Sequence, residues 1–227
     1  MGINAVYEGA KDLPARIPVF PLAGALLLPR GQMPLNIFEP RYLAMIDDAL
    51  RGDRVIGMIQ PDVSNAEEAE RITTPKLFEI GCAGRITQFA ETGDGRLIVA
   101  LTGIARFRIV EELTSTAPYR LCAVDFNAFP QDFVARAGED EVDRNKVLST
   151  LKRFVKANKL EINWSEIADA PNEALVNALA MMSPYGVKEK QALLEASTLR
   201  DRAEFLVAIT EFELARRGSG SDNTPLQ

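Results

Sequence analysis

The chain has 227 residues, 47% apolar and 26% charged, enough to bury the core of one large domain or two modest ones. Its net charge of −6 is evenly spread: residues 1–127 carry 13 Lys+Arg against 16 Asp+Glu, and residues 128–227 carry the same, so neither half has the basic excess of a dedicated nucleic-acid binder. Histidine is absent, which excludes Ser-His-Asp and Cys-His catalysis and removes the commonest zinc ligand.

No stretch reaches the roughly 18–20 apolar residues of a membrane span. Met1 to Arg16 has no apolar run and reads as a flexible N-terminus with no signal peptide, so a cytoplasmic protein is expected. From residue 17 the chain is strand-like. Runs at Ile17–Phe20, Pro34–Phe38, Val55–Gln60, Ala83–Glu91, Arg96–Ile104, Arg106–Leu113 and Tyr119–Asn127 are separated by Gly, Pro and Asp. Gly93-Asp94-Gly95 supplies the positive backbone angles of a tight hairpin. In Arg106-Phe107-Arg108-Ile109 the alternation puts the arginines on one face and the apolar residues on the other, a half-buried strand of an antiparallel sheet or barrel.

One helix interrupts the strands. Pro40 suits a first helical position, Tyr42, Leu43, Met45, Ile46, Ala49 and Leu50 form one stripe, and Gly52 ends it. Residues 17–128 therefore read as a β domain and 129–139 as a linker. Residues 140–217 read as a helical bundle and 218–227 as a disordered polar tail. The bundle comprises Asp140–Asn158, with Val147, Leu148, Leu151, Phe154 and Val155 as its stripe, then Asn172–Met182, Lys188–Ala196 and Thr198–Arg217. Thr198 and Asp201 form a capping-box-like start, and Phe205, Leu206, Ile209 and Phe212 are the expected core face. Met181-Met182 reads as core filler.

Few constellations carry chemistry. GxxxxGK[ST] and GxGxxG are both absent, and Gly81-Cys82-Ala83-Gly84 opens a strand, so it reads as a bulge or close backbone packing. Adjacent carboxylates such as Asp47-Asp48 and Glu111-Glu112 point apart in either helix or strand. Cys82 and Cys122 read as small buried hydrophobes in a reducing compartment. Arg85, Arg106 and Arg108 are the basic cluster, with no interleaved aromatic to make a stacking platform for RNA. No catalytic, cofactor or metal residue is assigned. Glu39, Arg41 and Arg106 are the candidate polar cleft. Leu28, Pro29 and Met33 are the candidate polypeptide-binding surface, because two prolines stiffen Leu28-Pro29-Arg30-Gly31-Gln32-Met33-Pro34 and lower the ordering cost of presenting apolar side chains.

Several segments together resemble the N-terminal domain family of Lon proteases. They are Ile17-Pro18-Val19-Phe20-Pro21-Leu22, Leu28-Pro29, Gly31, and Pro34-Leu35-Asn36-Ile37-Phe38-Glu39-Pro40-Arg41-Tyr42 with Met45. Gly81–Ile86, Gly103–Ile109 and Lys190–Glu195 continue the likeness, which runs from residue 17 to 217. Arg30 departs from it, standing where the family has glycine, and a positive backbone angle there would be strained for arginine. The resemblance implies an α+β fold: a PUA-like antiparallel β pseudo-barrel with one inserted helix, followed by a C-terminal helical bundle. It also implies a stand-alone bacterial Lon-domain protein lacking the ATPase and protease domains, with no catalytic residue of its own. The expected partners are unfolded or flexible polypeptide segments and a protease or chaperone, with no membrane, metal or cofactor. The rival readings are an RNA-binding PUA-like domain and a small-molecule-binding protein or enzyme.

Overall fold

A computed structural model describes residues 5–219. Of the expected flexible N-terminus at 1–16 and tail at 218–227, residues 1–4 and 220–227 lie outside the described residues. The architecture is α+β. Six strands form one sheet: β1 (Arg16–Pro21), β2 (Gln32–Ile37), β3 (Val55–Ile59), β4 (Ile80–Glu91), β5 (Leu97–Leu113) and β6 (Arg120–Asp125). They pair in the order β2-β5-β4-β3-β1-β6, and β6 pairs again with β5, so five strands close a ring and β2 lies at its rim. Pro34, which cannot donate to a ladder, sits on this edge strand.

Two expectations need correction. The sheet is mixed: β1 and β3 run parallel, with Val19 opposite Gly57 and Pro21 opposite Ile59. The helix α1 (Pro40–Arg51) carries the chain back between them, and a crossover of this kind permits parallel neighbours. The two runs at 96–104 and 106–113 are one 17-residue strand, β5, which pairs β2 and β4 along its first half and β6 along its second. Register shifts at Ala83/Gly84, Ile86/Gln88 and Ile109/Glu111 put into β4 and β5 the bends that closure requires.

Inside the ring Phe107 is fully buried among Ile17, Val19, Ala83, Cys122 and Val124. A Cβ at Gly57 or Gly81 would lie 2.8 or 2.4 Å from its ring, so these glycines make its space. Gly81-Cys82-Ala83-Gly84 is both a bulge and a close approach, as its sequence suggests. Gly93 and Gly95 take positive φ at the β4–β5 turn.

Helix α1 starts at Pro40, buries Tyr42, Met45, Ile46 and Ala49, and ends where the Gly52 N–H donates to Asp48 and Ala49. A second inserted helix, α2 (Ala66–Arg71), had no apolar stripe to announce it. Its signal is local: the Asn65 Oδ1 accepts from the Glu68 N–H, while Glu68 accepts from the Ser64 N–H.

The remaining helices are α3 (Arg144–Asn158), α4 (Trp164–Asp169), α5 (Asn172–Met182), α6 (Val187–Glu195) and α7 (Leu199–Ser219). The chain divides into two compact units, and the division is not a single cut. One unit holds the chain to Ala135 together with Ser183–Glu195, and the other holds Arg136–Met182 and the chain from Ala196 onward. In the first unit α6 is tied to the strands by side-chain amides. Gln60 Nε2 donates to the Val187 carbonyl (3.0 Å) and to Gln191 Oε1 (3.1 Å), and Gln191 Nε2 donates to the Ile80 carbonyl (3.1 Å).

In the second unit α7 packs on α3 and α5, and its capping box is formed: Asp201 N–H donates to Thr198 Oγ1 and Thr198 N–H to Asp201 Oδ2. Its expected core face is corrected. Leu206 is buried, but with Ala203, Val207 and Thr210, while Phe205 and Phe212 stay exposed. α7 is apolar on two faces, and the inward one also carries the buried Arg202, whose Nη1 donates to Asn177 Oδ1 at 3.0 Å. Met182 is 83% exposed and fills no core.

Candidate functional site

The first unit carries an open groove of about 660 Å³. Its rim and floor come from four places: the end of β1 with Leu22 and Ala23, the start of α1, the segment from Pro61 through α2 to Pro75, and Pro118 to Arg120 before β6. Prolines at 21, 61, 75 and 118 fix φ in these segments and stiffen the walls. Leu22, Phe38 and Ile72 are exposed here, Phe38 at 59%.

Tyr42 forms the floor. Its ring meets Phe20 edge-on at 4.2 Å, and the Arg41 guanidinium lies over it at 4.5 Å. Arg41 Nε donates to Glu39 Oε2 at 2.9 Å. Burial raises the Tyr42 phenol above its ordinary value, Arg41 and Arg120 oppose this, and Glu39 adds to it. The phenol is therefore a neutral hydrogen-bonding group at neutral pH. On the far wall Tyr119 donates to Asp48 Oδ2 (2.9 Å), and Arg120 donates to the Pro75 carbonyl (2.7 Å) and to Glu112. The groove thus offers apolar contacts around a few fixed polar groups, the composition of a recognition site.

The residues singled out from sequence scatter. Glu39 and Arg41 meet at the groove. Arg106 does not reach it: it is 2% exposed and clamps Asp132, with Nη2 donating to Oδ1 at 2.7 Å and Nε to Oδ2 at 2.9 Å. Its Nη1 donates to the Leu194 carbonyl at 3.0 Å, and its guanidinium lies 4.2 Å from the Phe129 ring. Alternation placed Arg106 opposite Phe107 correctly, but both faces of β5 are covered here, so the arginine face is not solvent. Leu28 and Pro29 are buried as well and present no surface. The Arg30 N–H donates to the Gly103 carbonyl and the Gly103 N–H to the Gly31 carbonyl, both at 2.8 Å, which folds the turn onto β5. Met33 is partly buried opposite Leu101. Arg30 takes φ 64° with its Nη1 donating to the Asp132 carbonyl at 2.7 Å, so arginine occupies the left-handed position and anchors it.

The functional reading of the sequence missed Phe38, Tyr119 and the Pro75 segment. Only Phe38 left a signal: the strand before Pro40 ends on a large apolar residue with no further partner position.

Both cysteines are buried, and burial pushes the Cys122 thiol up to about 11, with Glu112 adding and Arg120 opposing. The thiolate fraction at neutral pH is correspondingly small. A thiol-reactive disulfide reagent at pH 8 is expected to label two thiols promptly in urea-unfolded protein and neither in native protein; prompt labelling of native protein would contradict this. Among the described residues no group of three or more His, Cys, Asp or Glu side chains is placed to hold a metal ion, and no helix is long and apolar enough to cross a membrane.

A ring of strands with inserted helices, followed by helices, is the class of fold found in two solved Lon N-terminal structures. A Lon N-terminal domain protein from Xanthomonas campestris superposes with a TM-score of 0.60 at 22% identity, covering 85% of this chain and 97% of that one. The N-terminal domain of the Mycobacterium avium complex Lon protease gives 0.57 at 16%, covering 86% and 98%. The family model for the ATP-dependent protease La (LON) substrate-binding domain matches residues 16–211, and the chain belongs to that family. Lon protease 2 of Myxococcus xanthus is 26% identical over 206 residues, 88% of this chain and 24% of the relative. Lon protease of Buchnera aphidicola subsp. Acyrthosiphon pisum is 28% identical over 209 residues, 87% and 25%. The chain therefore spans about a quarter of the length of the curated relatives it matches.

Proposed function

We propose that this chain is a cytoplasmic, non-catalytic module that binds unfolded or flexible polypeptide segments and passes them to a protease or chaperone. The strand unit is the binding domain and the helical unit a second domain. The observation that carries this is the groove itself: an open channel lined by the exposed Leu22, Phe38 and Ile72 together with the largely buried Tyr42. An extended segment could place apolar side chains against these three and a backbone carbonyl at the phenol. Charged groups along the walls are already paired with one another, which favours uncharged segments over acidic or basic ones. RNA is disfavoured by the same geometry. Of the basic cluster, Arg106 is buried, and Arg85 Nη1 donates to the Tyr7 hydroxyl (2.8 Å) and the Asp53 carbonyl (3.2 Å).

Phe38→Asp should leave unfolding free energy within about 0.5 kcal/mol of the parent, as expected for an exposed site. Capture of a permanently unfolded test polypeptide should weaken at least about tenfold. Unchanged capture would remove the groove from consideration. Purified protein should neither hydrolyse ATP nor cleave casein, and turnover abolished by a single substitution in this chain would overturn the non-catalytic reading.

A further inference from the structure

The groove does not end at Arg120. Thr74, Pro75 and Arg120 line it and also line a second open cavity of about 630 Å³, so the two meet where Arg120 Nη1 donates to the Pro75 carbonyl at 2.7 Å. The second cavity lies between the segment that leads into β4 and the outer part of β5, where Val110 stands 67% exposed. Its carboxylates are already paired, Glu79 with Arg108 at 2.9 Å and Glu112 with Arg120 at 2.5 Å. Lys76 is the one lining charge without an ion pair among the described residues. Arg120 is fixed on three sides: Nε and Nη2 donate to the two oxygens of Glu112 and Nη1 to Pro75, and its side chain is only 19% exposed. A guanidinium carries five N–H groups, so two remain, one on each Nη, held where the cavities meet.

We propose that the two cavities are one channel for an extended polypeptide segment, and that Arg120 binds the main chain of that segment as it passes between them. The inference rests on the groove reading and lengthens it. The occupant follows from what the channel offers. Each cavity presents an exposed apolar contact, Phe38 in the first and Val110 in the second. Between them the charges are satisfied, and the donors left over on Arg120 suit a backbone carbonyl, a group that every polypeptide carries whatever its side chains. A polyanion would need a row of unpaired cations, and a compact small molecule would fill one cavity only. An extended chain rises about 3.3 Å per residue, so roughly five to six residues cross two cavities of this size. The segment that fits is apolar near both ends and uncharged in the middle, with room for an acidic residue only beside Lys76.

The probes are a labelled, uncharged peptide of about nine residues with a leucine near each end, and one of about five residues with a single leucine, each titrated against the full chain. The longer peptide should bind at least about tenfold more tightly, because its second contact forms within the complex. Phe38→Asp and Val110→Asp should each remove that gain, and both positions are exposed, so the fold should survive either change. Replacing the central amides of the longer peptide with esters, whose carbonyls accept hydrogen bonds more weakly, should weaken binding to the parent severalfold and leave binding to Arg120→Met unchanged, the signature of a coupled pair. A loss for Phe38→Asp with none for Val110→Asp would end the channel at Arg120 and overturn this proposal while leaving the groove reading intact. A loss for neither would remove both. An ester effect as large in Arg120→Met as in the parent would overturn the role of Arg120.

Discussion

Asp132→Ala is expected to destabilise the protein by about 3–5 kcal/mol, because it strips a buried guanidinium of its counter-charge. Arg106 is almost fully inaccessible and directs Nε and Nη2 at the two oxygens of Asp132, while its own backbone N–H donates to Oδ2 at 2.9 Å. Removing the carboxylate leaves three donors facing a cavity with no acceptor, and the cost of an unpaired buried charge exceeds that of the lost bonds alone. Asp132 also places its carbonyl for Arg30, so the turn over residues 28–31 loses a tether in the same step if the segment shifts. The conservative Arg106→Lys should lose most of the same stability, since an ammonium cannot make the two-pronged contact. Replacing both partners with apolar side chains of similar volume should recover much of it. Urea unfolding of the three variants and the parent checks this. If Asp132→Ala costs under about 1 kcal/mol, the pair is solvated and the burial argument is wrong.

Gly103→Ala is the second substitution with a large expected effect. A Cβ at Gly103 would stand 2.0 Å from the Leu28 carbonyl oxygen and 2.8 Å from its carbon. Both are backbone atoms, so no rotamer change relieves the clash. The strand β5 or the turn must move, breaking the hydrogen bonds from Arg30 N–H to Gly103 and from Gly103 N–H to Gly31. Overpacking together with two lost backbone bonds should cost about 3 kcal/mol or more. Gly93 is the natural control: nothing lies within 4 Å of its Cβ position, and Gly93→Ala should cost only about 1 kcal/mol for its positive φ. Melting curves of the two variants should therefore separate clearly, and a Gly103→Ala loss no larger than that of Gly93→Ala would contradict the close-approach argument, because Gly103 does not take a positive φ.

Leu28 illustrates the difference between what local chemistry encodes and what packing decides. Two prolines and an apolar pair made its turn look like a presented loop. Its burial comes from Gly103, about seventy-five residues away in sequence, whose missing side chain lets the Leu28 carbonyl sit against β5. Arg106 is the same lesson in charge. Alternation gave its face correctly, but Asp132 lay in a stretch that reads as linker, and nothing in its sequence announces a buried carboxylate. The groove was half legible: Glu39 and Arg41 flag the start of α1, while Tyr119 and Pro75 reach it only through sheet closure.

The sequence by itself determined the elements whose cause is local. Pro40 and Gly52 bound α1, Gly93 and Gly95 turn the β4–β5 hairpin, Thr198 with Asp201 starts α7, and the order of these signals marks the family. The tertiary structure alone decided the parallel pairing of β1 with β3, the fusion of two apolar runs into β5, the return of α6 to the strand unit through Gln60 and Gln191, and which of two apolar faces of α7 turns inward. Each of these depends on contacts between residues distant in the chain. A period of 2 or 3.6 states that a face is apolar, but what covers that face is settled by the partner that arrives there.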